Sequence, residues 1–152
     1  MALLRAMAIV LVSAATAHAQ ARPLKPLSGA KRVSCSFPLM ATGTWDDAGG
    51  PKAEVKPATL KVAYDSIDTD DGTARLLGPY GNVSIIAKLS LWSLHLLQMG
   101  AEGALSLTTV FDRQIRPGHF NATHTVHEYT QVLVPGFTSR PEQYYGECAV
   151  EW

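Results

Sequence analysis

The sequence predicts an all-β fold, a single-domain antiparallel β-barrel or sandwich of about 7–9 strands whose terminal strands are joined by a disulfide. Three observations lead there. Apolar and polar residues alternate with a period of two in several short runs, the signature of half-buried strands. Clusters rich in Gly, Pro, Asp and Asn separate those runs, as turns do in hairpin-connected sheets. The two cysteines, Cys35 and Cys148, stand in the first and last runs, each on the apolar parity.

The chain opens with a segment read as an export signal, Met1 to Ala19. It carries one early charge (Arg5), an apolar stretch from Ala6 to Ala15 and a small-x-small end at Ala17-His18-Ala19. Cleavage is expected before Gln20, and the apolar stretch is too short to anchor in a bilayer. No cysteine follows it for lipid attachment. The expected location is therefore secreted or periplasmic, with no membrane anchor. Gln20 to Arg32 is Pro-punctuated and without periodicity, which predicts a flexible leader. The β domain is expected over 33–152.

Val33, Cys35, Phe37 and Leu39 alternate with polar residues as a first strand, and Pro38 suggests an edge or a strand end. Asp46 to Pro57 reads as a loop. Leu60, Val62 and Tyr64 share a face of the second strand. Asp71-Gly72 signals a type I′ hairpin, which needs positive φ at both central positions. Thr73 to Leu77 follows, then a turn in Gly78 to Asn82. Val83 to Leu91 alternates clearly, after which the apolar phase moves to Trp92, Leu94 and Leu96, suggesting a bulge or barrel corner. A helix over 87–99 is the alternative, since Leu, Met and Gln favour one. Gly100 to Gly103 predicts a hairpin loop before a strand at Leu105 to Phe111. Asp112 to Gly118 reads as a turn, Phe120 to Val134 as a long β run, and Tyr144 to Trp152 as the last strand.

Thirteen basic residues balance thirteen acidic ones, and loss of Arg5 with the signal leaves 12 − 13 = −1. A near-neutral chain carries no electrostatic footprint for nucleic acid or an anionic membrane. Two cysteines in an exported chain read as one structural bridge, with no CxxC pair to suggest redox or metal chemistry. Closing a loop of 148 − 35 = 113 positions contributes about 4–5 kcal/mol in the chain-entropy model.

Gly43-Thr44-Trp45, with Cys35-Ser36 a few residues earlier, resembles the G-x-W of the first strand in lipocalins and avidin-like barrels. The resemblance implies a small barrel with a ligand cup at its mouth. The Thr-Asp motif of lipocalins has no counterpart, because Thr69-Asp70 comes too early. A tryptophan filling the core beside a glycine is the alternative reading.

His124 shares parity with Phe120, Ala122, Val126 and Glu128, so His124 and Glu128 are expected to face the interior. There they would act as polar anchors for a ligand if the interior holds a cavity, or as satisfied core groups if it does not. Tyr144 and Tyr145, with Arg140, Glu142 and Gln143, form a second candidate site, since Tyr and Arg concentrate at binding hot spots; the alternative is a structural corner in which the tyrosines pack and Arg140 pairs with an acid. His119, His124 and His127 do not make a zinc site in a strand, where residues three apart face opposite ways. The Asp65, Asp68, Asp70 and Asp71 cluster lacks the spacing of a calcium loop and reads as a hairpin tip. Asn82-Val83-Ser84 and Asn121-Ala122-Thr123 are formal glycosylation sequons. No nucleophile motif, metal motif or cofactor loop is present, so no cofactor or metal is expected. The reading is a binding protein, for a small apolar or amphipathic ligand or an envelope protein partner. The alternative is a small hydrolase-like or metal-dependent enzyme using His124.

Overall fold

The computed structural model describes residues 27–45, 48–100, 103–127 and 141–152. Eight strands are named in chain order: β1 (Arg32–Trp45), β2 (Pro51–Asp68), β3 (Thr73–Gly78), β4 (Gly81–Ser90), β5 (Ser93–Met99), β6 (Leu105–Arg116), β7 (His119–His127) and β8 (Glu142–Glu151). Each pairs antiparallel with its neighbour in sequence, and β8 returns to β1 to close the ring. The fold is thus an up-and-down barrel rather than a sandwich. The expected all-β class and the disulfide between the terminal strands are both found.

Eight strands enclose an interior just wide enough for side chains to fill. The inward parity is apolar: Val33, Cys35, Phe37, Ala74, Ala87, Leu94, Leu96, Val110, Phe120, Ala122, Cys148 and Val150 are all buried. Cys35 and Cys148 are direct register partners with Cα atoms 4.0 Å apart, so their bond lies inside the barrel along the β1–β8 seam.

Closure explains Pro38, which was expected at an edge or a strand end. A ring has no edges, and the proline, which lacks an N–H, sits instead where β1 shifts register against both β2 and β8. Opposite that bulge, β8 carries Gly146. A Cβ there would collide with the Ser36 carbonyl oxygen and stand 2.8 Å from the Phe37 Cα. Only a residue without a side chain lets the bulge close against β8.

One end of the barrel is plugged by a short 3₁₀ turn, Leu27–Gly29. Leu27 and Ala30 are buried, Lys31 N–H donates to the Glu151 carbonyl (2.8 Å), and Ile67 N–H donates to that of Lys31 (3.2 Å). The flexible leader expected over 20–32 therefore does not extend to its C-terminal part, because Leu27 and Ala30 have apolar surface to bury under the barrel floor. Trp152 packs edge-on to Phe120 at the same end, ring centroids 6.3 Å apart.

Several connections differ from expectation. The loop expected over Asp46 to Pro57 is strand from Pro51 onward, because β2 runs on to pair with the far half of β1. The β2–β3 turn is not type I′: Gly72 has φ 74°, whereas Asp71 is absent from the positive-φ residues, and the Asp68 carboxylate accepts the Asp70 and Asp71 amides at 3.0 and 2.9 Å. Those two amide bonds hold the Asp68 carboxyl below the usual range. The phase change at Leu91-Trp92 is a two-residue turn rather than a bulge, and the 87–99 helix does not form. β6 extends to Arg116, so the turn expected from Asp112 shrinks to Pro117-Gly118.

Candidate functional site

The end opposite the plug is the mouth, where β1, β7 and β8 present Thr42, His127 and Glu142. Beyond Thr42 the β1–β8 pairing stops, and β3 reaches back along β2 only to Ala63. The distal halves of β1 and β2 therefore project past the rim as a two-stranded ribbon. Trp45 lies at its tip and is 59% exposed. The Gly43-Thr44-Trp45 tryptophan thus neither fills the core nor stands at the start of its strand, because it lies beyond the last residue that β8 covers.

His124 points inward, as its parity requires, and is 7% exposed. Its register partners are Thr108 on β6 and Tyr144 on β8. Thr108 Oγ1 lies 2.7 Å from His124 Nδ1 and 2.5 Å from the Tyr64 hydroxyl. The chain runs either from Tyr64 through Thr108 to His124 Nδ1, with the imidazole proton on Nε2, or in reverse from Nδ1–H, and in both the imidazole is neutral. Burial agrees with that state, pushing the His124 pKa down to about 4 and the Tyr64 pKa up to about 12. Phe37 and Tyr144 flank the imidazole, with ring centroids 5.8 and 6.0 Å away.

Toward the mouth, β8 places Glu142 two residues from Tyr144 on the same inward face. The Tyr144 hydroxyl donates to Glu142 Oε2 at 2.5 Å. Burial, the bond and the carboxylate's charge together raise the Tyr144 pKa to about 12. Glu142 is 8% exposed. Among the described residues the ion pairs are Arg75–Asp65, Arg116–Glu147 and His119–Glu147, none of them at Glu142. On the other side of the same strands, a hollow of about 290 Å³ is walled by Ala41, Gly43, Ala53 and Pro141 and rimmed by Thr125, His127 and Gln143; these positions have the parity opposite to Glu142, so the hollow lies on the outer face of the β1–β8 seam at the rim. A neighbouring hollow of about 340 Å³ shares Gly43, Ala53 and Pro141 and runs to Trp45.

Adjacent residues on a strand face opposite ways, so Tyr144 and Tyr145 do not form one surface. Tyr145 points outward into a groove of about 630 Å³ beside Phe111, Arg113, Asn121, Thr123 and Gln143. The groove lies where β6 shifts register between Val110 and Gln114. Glu128 and Arg140 lie outside the described residues. The three histidines part company: His119 contacts Glu147 and Arg116 on the outer face, His124 lies inside, and His127 is exposed at the mouth. Of the acidic cluster, Asp65 pairs with Arg75 (3.0 Å) and Asp68 caps its turn.

Tyr64 and Thr108 were not expected as site residues, and Glu142 was expected only as part of the Tyr144–Tyr145 surface. Tyr64 and Glu142 were visible by parity, one with Leu60 and Val62 and the other with Tyr144 and Cys148. What ties Tyr64 to Thr108, 44 positions away, is barrel closure, which no local pattern carries. No family model, curated protein or solved structure matches the chain.

Proposed function

We propose that this is an exported binding protein that takes a small amphipathic ligand at the barrel mouth. The observation that carries the reading is the hollow at the rim of the β1–β8 seam: mostly apolar walls of Ala41, Gly43, Ala53 and Pro141, with Thr125, His127 and Gln143 as the polar groups around them. Apolar lining with a few placed polar groups is the general character of small-ligand sites, which span about 300–1,000 Å³. The lumen itself is packed, and none of the described hollows is lined by Tyr64, Thr108 or His124. The ligand is therefore held at the rim rather than swallowed. In this reading His124, Tyr144 and Glu142 pack the lumen behind the hollow and hold its strands in place. An internal disulfide suits an oxidising compartment, which supports the export reading of the first nineteen residues.

A second reading has its own observation. The outer groove at Phe111, Arg113 and Tyr145 has the aromatic and arginine content of protein contact sites, and an envelope protein is the partner it would take. Catalysis by His124 is less well supported, since its Nδ1 is engaged by Thr108 and its ring is packed between Phe37 and Tyr144.

Native mass spectrometry of the protein purified from its source tests the proposal. A small-molecule adduct on the wild type that is missing from Ala53→Trp, a change at an exposed wall of the hollow, is the expected result. A clean apo mass for both proteins rejects mouth binding and turns attention to the outer groove.

A further inference from the structure

We infer that the ligand of the rim site is a single-chain amphiphile, one hydrocarbon tail under a small polar head, whose tail lies outside the ring along the β1–β2 ribbon toward Trp45. The inference rests on the mouth-binding reading and goes further by naming the ligand's shape and direction. Below the bulge at Pro38 the two strands share an apolar inner face, with Cys35 opposite Val62 and Phe37 opposite Leu60. Their outer face there is more polar, with Ser34 opposite Ala63 and Ser36 opposite Lys61. Above the bulge the two faces exchange character. Leu39 with Pro57, Ala41 with Val55, Gly43 with Ala53 and Trp45 with Pro51 now form the outer face. The inner face carries Met40 with Lys56, Thr42 with Glu54 and Thr44 with Lys52. On β1 the cause is plain: its odd-numbered residues have no polar member from Val33 to Trp45, and the register shift at Pro38 turns that one row from the lumen to the outside. All of the eight outer residues except Ala41 are exposed, Trp45 by 59% and Val55 by 65%.

An apolar sheet face held out in water gains by being covered. Eight residues are too few for a protein partner or a second copy, which would use about 20–30 on each side, so a small molecule is the occupant that fits. Its shape follows from the floor. Ala41, Gly43 and Ala53 carry little or no side chain, whereas Leu39 and its register partner Tyr145 stand at one end and Trp45 at the other, so the face is a trough rather than a plane. The hollows of about 290 and 340 Å³ lie along it in series, sharing Gly43, Ala53 and Pro141. From Leu39 to Trp45 the strand rises about 20 Å, which suits an extended chain better than a compact body. Thr125, His127 and Gln143 line the hollow that stops short of Trp45, and the polar head belongs there. Thr44 and Lys52 touch the hollow nearer the tip but have the parity of the ribbon's polar face.

The test titrates 1-butanoylglycerol, 1-octanoylglycerol and 1-dodecanoylglycerol, one head with three tails, into the full protein by calorimetry below their micelle-forming concentrations. The octanoyl probe should bind at least about tenfold tighter than the butanoyl one, and the dodecanoyl probe tighter again, because each methylene that leaves water strengthens binding. Gly43→Leu should erase that gain with length. Position 43 has no positive φ and a Cβ there meets nothing within 4 Å, so the new side chain fills the trough without disturbing the fold. A dodecanoylglycerol brominated at the tail end should quench the wild-type tryptophan fluorescence, and Trp45→Phe should lose that quenching, a readout that leaves the trough floor untouched. Equal affinity for the three tails overturns the tail inference while leaving mouth binding standing. Length dependence that survives Gly43→Leu, or quenching that survives Trp45→Phe, overturns it as well. If no acylglycerol binds, the tail inference falls alone when native mass spectrometry still finds an adduct lost in Ala53→Trp, and together with the mouth-binding reading when it finds none.

Discussion

His124 makes the stability of this barrel depend on pH in a direction and by an amount that can be worked out. In the unfolded chain its imidazole titrates at 6.5, whereas burial holds it at about 4 in the fold. Between those values the unfolded state binds a proton that the native state refuses. Stability is therefore full above 6.5, falls as pH drops through that value, and stops falling on this account below about 4. A gap of about 2.5 at ~1.4 kcal/mol each makes the total about 3–4 kcal/mol, of which about 3 kcal/mol is lost by pH 4. The perturbation is His124→Asn, whose side-chain oxygen can still accept from Thr108 but which does not titrate. Urea denaturation of both proteins at intervals from pH 7.5 to 4 isolates the histidine, since every other titrating group is common to the pair. The wild type should lose about 3 kcal/mol more than the variant over that range. A difference between the two proteins that stays constant with pH would refute the reasoning, because it would mean that the imidazole accepts its proton inside the barrel.

Three further outcomes are expected. Replacing Cys35 and Cys148 together by Ala should cost up to about 4–5 kcal/mol, read as a lower urea midpoint that matches the wild type under reducing conditions. Gly146→Ala should prevent closure of the β1–β8 seam and yield little folded protein, whereas Gly43→Ala, where a Cβ meets nothing within 4 Å, should melt like the wild type. Leu27→Ala should destabilise by about 2–5 kcal/mol, the ordinary range for a buried leucine; a change below about 0.5 kcal/mol would show that the plug contributes nothing to the barrel.

What could be read from the chain follows from the two-residue period of a strand. Val33, Cys35 and Phe37, or Phe120, Ala122 and His124, announce an inward face wherever they stand in the fold, because alternation is local. The hairpin order came from the same source, through Gly78 to Asn82 and Gly100 to Gly103. Parity also placed His124 inside and set Tyr144 and Tyr145 on opposite sides, although the two had been grouped as one surface. It could not set the length of β2, since the residues from Pro51 to Pro57 become strand only because β1 is there to pair with them.

The sequence by itself determined an all-β chain with an apolar parity and two cysteines on it. The tertiary structure decided that the sheet closes, and closure supplied the rest. Once β8 meets β1, Pro38 moves from an expected edge or strand end to a bulge and Gly146 becomes indispensable opposite it. Tyr64, Thr108 and His124, drawn from three strands far apart in the chain, become one hydrogen-bonded line. Glu142 turns from one charge among several near the C-terminus into a buried carboxylate at a mouth. The physical reason is that alternation says which way a side chain points, whereas only the ring of strands says what it points at.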